Sequence, residues 1–486
     1  MSPGTDYYYR VTDAAGDSET GRFTTANELG TQAGLTFGVS GDWRGELSPY
    51  PAIGNAPEKD LDFFVLHGDT INADSPSPAV PLEQATTLAE FRDKHSEVYD
   101  TRFGLNAWGD LRASTSVLAT IDDQEVTDDF AGGAAAETDP RFGTSDFSGT
   151  VGLINDTELY ENGLQAFQEY NPIRDEFYGE TGDPRTAGER KLYRFNTYGD
   201  DAAVIILNNR SFRDPQLPNV TDFTDTEQVA AFLAGSFDPD RTLLGAQQLA
   251  DLKADLLQAE ENGITWKFVM VPEAIQNLGL GLAADRFEGY AAERTEILQF
   301  IDENNIENVV FVAADAHGTI VNNLTYQTDP LGPQIPTGAW EIITGAVAVE
   351  PTLGPTVVGI AAASGFITPE QLEFYNSLPV ANDGDDVVDD KDDFFKNLTN
   401  QQLLPFGYDP VGLQDSGIDA TLLQGDYVAA HSYGWTEFAI DPISQNLLVT
   451  TYGIDSYSED QLLANPGAIL ERVPAIVSQF EVQTPR

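Results

Sequence analysis

Apolar residues along this chain fall into short runs that stop abruptly at glycine and acid. In LDFFVLHGDTIN (61–72) the run Phe63, Phe64, Val65, Leu66 ends at Gly68 and Asp69, the pattern of a strand buried on both faces that delivers a carboxylate into the turn after it. LTFGVSGD (35–42), SVLATIDD (116–123) and NVVFVAADAH (308–317) repeat the pattern. Ligand and metal sites of layered α/β proteins collect at that edge, so four acidic strand ends that converge point to a polyvalent cation.

Between these strands the apolar spacing changes to three and four. Residues 83–99, 104–113, 241–263 and 289–305 read as helices, the third with Gly263 as its stop signal. KLYRFNTYGDDAAVIILNNRSFRD (191–214) reads as a β hairpin turning at Tyr198, Gly199, Asp200 and Asp201, WKFVM as a strand leading to Glu273, and 426–454 as two or three antiparallel strands around a DPISQN turn. Residues 135–190 alternate loop and short helix. YYYRVTDAAGDSETGRFTTA (7–26) gives two strands, too little to fold alone. Helix followed by strand, repeated, is the rhythm of an α/β fold. NDGDDVVDDKDD (382–393) has the composition of a calcium loop but lacks the midway glycine and final glutamate of an EF-hand, and reads as a solvated acidic loop.

Candidate chemistry gathers at the strand ends. Asp122 and Asp123 follow an apolar run directly, which places them at the rim of the core. Asp315 and His317, one residue apart past a buried strand, can face one ion. Asp42 after Gly41 is a turn residue or a ligand, and His67 can face either way. Arg210 and Arg213 either bind an oxyanion or bridge neighbouring carboxylates, and Glu273 joins Arg210 as a candidate substrate contact. His431 is a sheet histidine or an active-site one, and His95, among charged residues of a helix, reads as solvated. No P-loop, GxSxG elbow, dinucleotide fingerprint or internal repeat is present.

Charge narrows the picture. The 486 residues carry 79 Asp and Glu against 25 Lys and Arg, a formal charge of -54. That balance argues against a nucleic-acid-binding surface and against an anionic membrane surface as a resting place. Its balance suits concentrated salt, where screening removes self-repulsion. The 41% hydrophobic content is enough for a packed core, and the absence of cysteine excludes disulfides and thiolate ligands. No apolar stretch reaches membrane-spanning length, and the N-terminus lacks signal-peptide regions. The chain reads as starting inside a domain, with an export signal upstream and a secreted, periplasmic or cell-surface destination.

HGDTIN, DDQEV followed by DDFAG, and ADAH, in that order, resemble the alkaline phosphatase D (PhoD-like) family of the metallophosphoesterases, whose motifs run GDxIY, DDHEVxN and GDxH. ENGLQAFQEYNPIR, LYRFNTYGD, RTLLGAQQLADL and DRFEGYAAER resemble its connecting segments. The resemblance spans about residues 20–454. It implies a four-layer α-β-β-α sandwich of two mixed sheets over residues 31–486, preceded at 1–30 by the β remnant of a fibronectin-like domain. It further implies a dinuclear or multinuclear metal centre of iron and calcium, with manganese, zinc or magnesium as substitutes. Asp69 would bridge two ions, and Asp42, Asn72, Asp123, Asp315 and His317 would complete the ligand set. The implied activity is hydrolysis of small phosphate mono- or diesters by metal-activated water, with a phospholipase D-like diesterase as a rarer variant.

Departures from those motifs bear on activity. Asn72 stands where tyrosine is usual, Gln124 where histidine is usual, Asp128 where asparagine is usual, and Ala314 replaces a glycine. Gln124 can orient phosphate but cannot transfer a proton near neutral pH. With Arg210 and His431 it makes up the candidate catalytic set, and its identity raises the alternative of an impaired, metal- or phosphate-binding homologue. The sequence leaves monomer and oligomer open.

Overall fold

The structure, a computed structural model, describes residues 1–143, 152–171, 173–281, 283–380, 383–385, 387–414 and 416–484. β1 (Asp6–Thr12) and β2 (Ser18–Thr24) pair antiparallel as a separate ribbon. β3 (Leu35–Trp43) and β4 (Phe63–His67) precede α1 (Leu88–Tyr99), α2 (Ala107–Ser114) and β5 (Ser116–Thr120). α3 (Glu158–Tyr170) leads to the hairpin of β6 (Arg194–Tyr198) and β7 (Ala202–Ile206). α4 (Thr226–Ser236) and α5 (Ala246–Glu261) lead to β8 (Trp266–Met270), and α6 (Ala291–Glu303) leads to β9 (Val309–Ala313). β10 (Thr319–Tyr326), β11 (Ile335–Ile343) and β12 (Ala346–Ala348) are followed by α7 (Leu353–Ala363), α8 (Pro369–Ser377) and α9 (Lys391–Leu403). β13 (Ala420–Gly425), β14 (Val428–Ala429), β15 (Ser432–Ile440), β16 (Leu447–Asp455) and β17 (Ala475–Val482) close the chain.

The strands form two mixed sheets. One is ordered β13-β17-β16-β15-β3-β4-β5 with β12 beside β3, the other β14-β10-β11-β9-β8-β7-β6. Within the first, β3, β4 and β5 are parallel, and within the second, β7, β8, β9 and β11 are parallel. All five residues of β4, β7, β8 and β9 are buried, which is why these strands read as continuous apolar runs rather than alternating ones. One apolar cluster joins the sheets: Phe37 of β3 stacks on Phe63 at 4.7 Å and meets Phe268 of β8 edge-on at 4.9 Å. Hydrogen bonds also cross between the sheets near the strand ends. His67 Nε2 donates to the Val312 carbonyl at 2.8 Å, and Thr120 Oγ1 to the Leu207 carbonyl at 2.9 Å. Helices α1, α2 and α3 contribute to the core cluster on the outer side of β3 and β4, and α5 and α6 to the cluster on the outer side of β7, β8 and β9.

Two sequence expectations are corrected. His95 is not solvated: Phe91, His95 and Val98 share the buried face of α1, and the imidazole, fully buried, stacks on Tyr170 at 5.0 Å. The acidic stretch 382–393 is not a wholly solvated loop either. Asp390 caps α9 by accepting from the Asp393 amide, and Asp390, Asp392 and Asp393 are buried. Asn382 and Asp386 of that stretch lie outside the described residues, as do 144–151 and 172 of the segment 135–190.

His95 gives an acid-stability test. Neither ring nitrogen has a hydrogen-bond partner, and burial, then the charge of Arg112, lowers its pKa from 6.5 to about 3. Between those values the unfolded chain takes up a proton that the folded chain refuses, so stability is lost as pH falls through that window. His95→Phe should reduce the stability lost between about pH 7.5 and about pH 5 by about 2 kcal/mol, read from denaturant unfolding in high salt.

Candidate active site

The parallel strands of both sheets end at one edge, and each end carries chemistry. Asp42 leaves β3, Asp69 follows β4, and Asp122 and Asp123 follow β5. From the facing sheet, Arg210 and Arg213 follow β7, Glu273 follows β8, and Asp315 and His317 follow β9. The backbone turns sharply to present them: Asp42, Asp69, Asp315 and His317 have φ of 62°, 50°, 61° and 60°. Left-handed conformations at residues other than glycine cost of order 1 kcal/mol or more and cluster at functional sites. Close approach of the ends requires Gly41, where a Cβ would lie 2.7 Å from the His67 carbonyl oxygen and 2.9 Å from the Ala314 Cβ.

Several metal-sized groups result. Ligand atoms of Asp42, Asp69 and His317 lie within 4.8 Å of one another, as do those of Asp69, Asp122 and Asp123. Asp69 belongs to both. The Asp315 amide donates to Asp42 Oδ1 at 3.1 Å, and the Gln124 amide to Asp69 Oδ1 at 3.3 Å. Asp42 Oδ2, Asn72 Oδ1 and Gln124 Oε1 are buried acceptors without a hydrogen-bond partner. Orphaned buried oxygens are rare in folded proteins, and an oxygen-rich set with one imidazole suits hard and borderline cations. Burial first, then neighbouring carboxylates, pushes Asp42 and Asp69 well above the carboxylate range. Burial likewise raises Asp123 and Asp315 against the opposing charge of Arg210. Burial, then the charge of Arg44, lowers His317 to about 4, which leaves its imidazole neutral and able to ligate.

The positive charges are committed elsewhere than expected. Arg210 is 0% exposed, and its guanidinium grips Asp122 through Nε at 2.7 Å and Nη2 at 2.9 Å. It also reaches Asp285 at 2.9 Å and Glu273 at 2.5 Å. Arg213 pairs with the same Asp285 and, at 3.1 Å, with Glu273. Arg210 therefore bridges carboxylates rather than clamping a substrate, and Glu273, fully buried against both arginines, holds them in place instead of contacting an ester. His431 stays outside the cluster as well. Its Nδ1 is 2.6 Å from Asp392 Oδ1 and its Nε2 2.8 Å from the Tyr375 hydroxyl, so both ring nitrogens are occupied in the hydrogen-bonded alternative. His67 is likewise tied to the Val312 carbonyl.

Of the sequence candidates, Asp42, Asp69, Asp123, Gln124, Asp315 and His317 come together. Asn72 lies beside them, since the amide of Ala73 donates to the Gln124 carbonyl at 2.9 Å. Asp285, in the loop before α6, carried no strand-end signal. Burial would raise its carboxyl, but Arg210 and then Arg213 hold it well below the usual range. Arg44, two residues past Asp42, makes no hydrogen bond or ion pair through its guanidinium among the described residues, and its Nε is buried without a partner.

Removing the buried guanidinium strands Asp122 and Glu273, so Arg210→Gln should cost roughly 3–5 kcal/mol. Thermal unfolding in molar salt checks this; a midpoint equal to the wild type's would show that these carboxylates do not depend on Arg210.

A PhoD-like phosphatase family model matches residues 38–375. Alkaline phosphatase D of Bacillus subtilis (strain 168) is 25% identical over 340 residues, 67% of this chain and 53% of that protein. The chain thus spans about half the length of the curated relative it matches. A solved structure of PhoD superposes with a TM-score of 0.65 at 19% identity, covering 100% of this chain and 76% of that one, a likeness that bears on the fold alone. Every strand end that gathers at the cluster falls inside the family match, and the chain belongs to the PhoD-like phosphatase family.

Proposed function

We propose that this protein hydrolyses phosphate esters with water at a dinuclear metal centre. The observation that carries this reading is the pair of ligand groups sharing Asp69. Asp42, Asp69 and His317 would hold one ion and Asp69 with Asp123 the other, with Asn72 Oδ1 and Asp315 beside them; iron and calcium are the pair this reading takes. When bound, such ions supply Lewis acidity toward phosphoryl oxygens and make water a nucleophile near neutral pH. Arg44, the guanidinium left free near His317, is the residue suited to orient the phosphoryl group, because a free fork of donors matches its oxygens. The Gln124 side chain lies along the same edge, donating through Nε2 to Asp128 Oδ1 at 3.2 Å. It positions but does not exchange a proton.

This reading takes residues 31–486 as the catalytic domain in a four-layer arrangement, the β1-β2 ribbon as the remnant of a fibronectin-like domain, and small mono- or diesters as substrates in a salt-rich extracytoplasmic setting. A second reading, a weakened homologue, is favoured by Gln124. Protein purified without chelator should contain stoichiometric metal and hydrolyse nitrophenyl phosphate or its bis-ester in high salt with added iron, calcium or manganese. Chelation or Asp69→Asn should lower turnover by roughly 100-fold or more, and Arg44→Ala should reduce kcat/KM by about tenfold or more. Absence of both metal and chelator-sensitive hydrolysis would overturn the proposal. Gln124→His should raise turnover, by up to roughly 100-fold if a proton donor limits the reaction; equal rates would remove the weakened reading.

A further inference from the structure

A second acidic group lies at the start of α9, sharing no residue with the catalytic cluster. Carboxylate oxygens of Asp383, Asp385 and Asp393 lie within 4.8 Å of one another. Acidic surface groups alone are commonplace, but Asp393 is only 4% exposed and its Oδ2 is buried with no hydrogen-bond partner. Next to it Asp390, 2% exposed, has the same defect: Oδ1 caps α9 while Oδ2 is buried and unpartnered. The positive end of a helix accounts for carboxylates in its first turn, yet it is met here through Oδ1 of Asp390 and leaves two buried oxygens over.

Nearby basic side chains have other partners. Lys396 pairs with Asp426 at 2.9 Å, Lys391 lies over the Tyr375 ring at 5.2 Å, and His431 takes Asp392.

We propose that Asp383, Asp385 and Asp393 bind a structural calcium ion that fastens the segment before α9 to the helix. An all-oxygen, carboxylate-rich set from closely spaced residues suits calcium, which accepts irregular geometry and many oxygens; magnesium demands a near-ideal octahedron, and zinc prefers nitrogen or sulfur.

The test compares wild type with Asp383→Asn/Asp385→Asn, whose substituted residues are exposed and so leave the core intact. Chelator-stripped samples in potassium chloride are dialysed against calcium, then read for bound calcium per chain and for the calcium-dependent rise in Tm. The variant is expected to bind one ion fewer per chain and to lose most of that rise, while hydrolysis with saturating metals is unchanged. Asp69→Asn, in contrast, should retain the rise. Equal calcium content and an equal Tm increment in wild type and the double variant would overturn the proposal, as would a wild type that takes up no calcium that the variant lacks.

Discussion

A single guanidinium, buried where two sheets meet, makes the acidic edge of this molecule possible. Carboxylates withdrawn from water repel one another and resist ionisation. Asp122, Glu273 and Asp285 are packed together only because Arg210 lies among them, with Arg213 behind. These arginines answer part of the charge and do so rigidly, through bidentate contacts that fix the ends of β5, β7 and β8 relative to one another. Asp123 and Asp315 lie at the margin of Arg210, 3.5 Å and 3.8 Å from it, and Asp42 and Asp69 lie outside its ion pairs, with buried acceptors left over beside them. The cluster is thereby divided: arginine neutralises its rear and leaves its front rich in buried oxygens without partners.

Much of this was legible in the sequence because one local pattern, an apolar run broken by acid, recurs wherever a buried strand reaches the edge. That pattern located Asp42, Asp69, Asp123 and Asp315 without any knowledge of pairing. It was silent on which sheet each strand joins: β3, β4 and β5 lie in one and β9 in the other. Asp285 was invisible because it comes from a loop and acquires its role only through Arg210 and Arg213. The arginines themselves were ambiguous, since two cations after a strand look alike whether they serve a substrate or a carboxylate, and only burial decides.

The misread residues show how charge can hide periodicity. His95 has charged neighbours in sequence, yet the four-residue step from Phe91 and the three-residue step to Val98 put it on the buried face of α1. In NDGDDVVDDKDD the acid content masked the start of α9, whose Phe394, Phe395 and Leu398 follow at once and draw Asp390, Asp392 and Asp393 inward. In a chain of net charge -54, acidic composition is a poor guide to exposure, because carboxylates are spread over surface and rim alike.

The apolar contact between the sheets is directionless: Phe37 against Phe268 resists separation but offers little resistance to sliding. Directional ties oppose that slip near the edge, among them His67 to Val312, Thr120 to Leu207 and the grip of Arg210 on Asp122. In the proposed reading, ions held jointly by Asp42 and Asp69 from one sheet and His317 from the other would act as rivets across the seam. Starved of metal, the molecule would lose more than its chemistry: the seam would become the easiest place to shear, and proteolytic lifetime, rather than turnover, would be the first quantity to register the shortage.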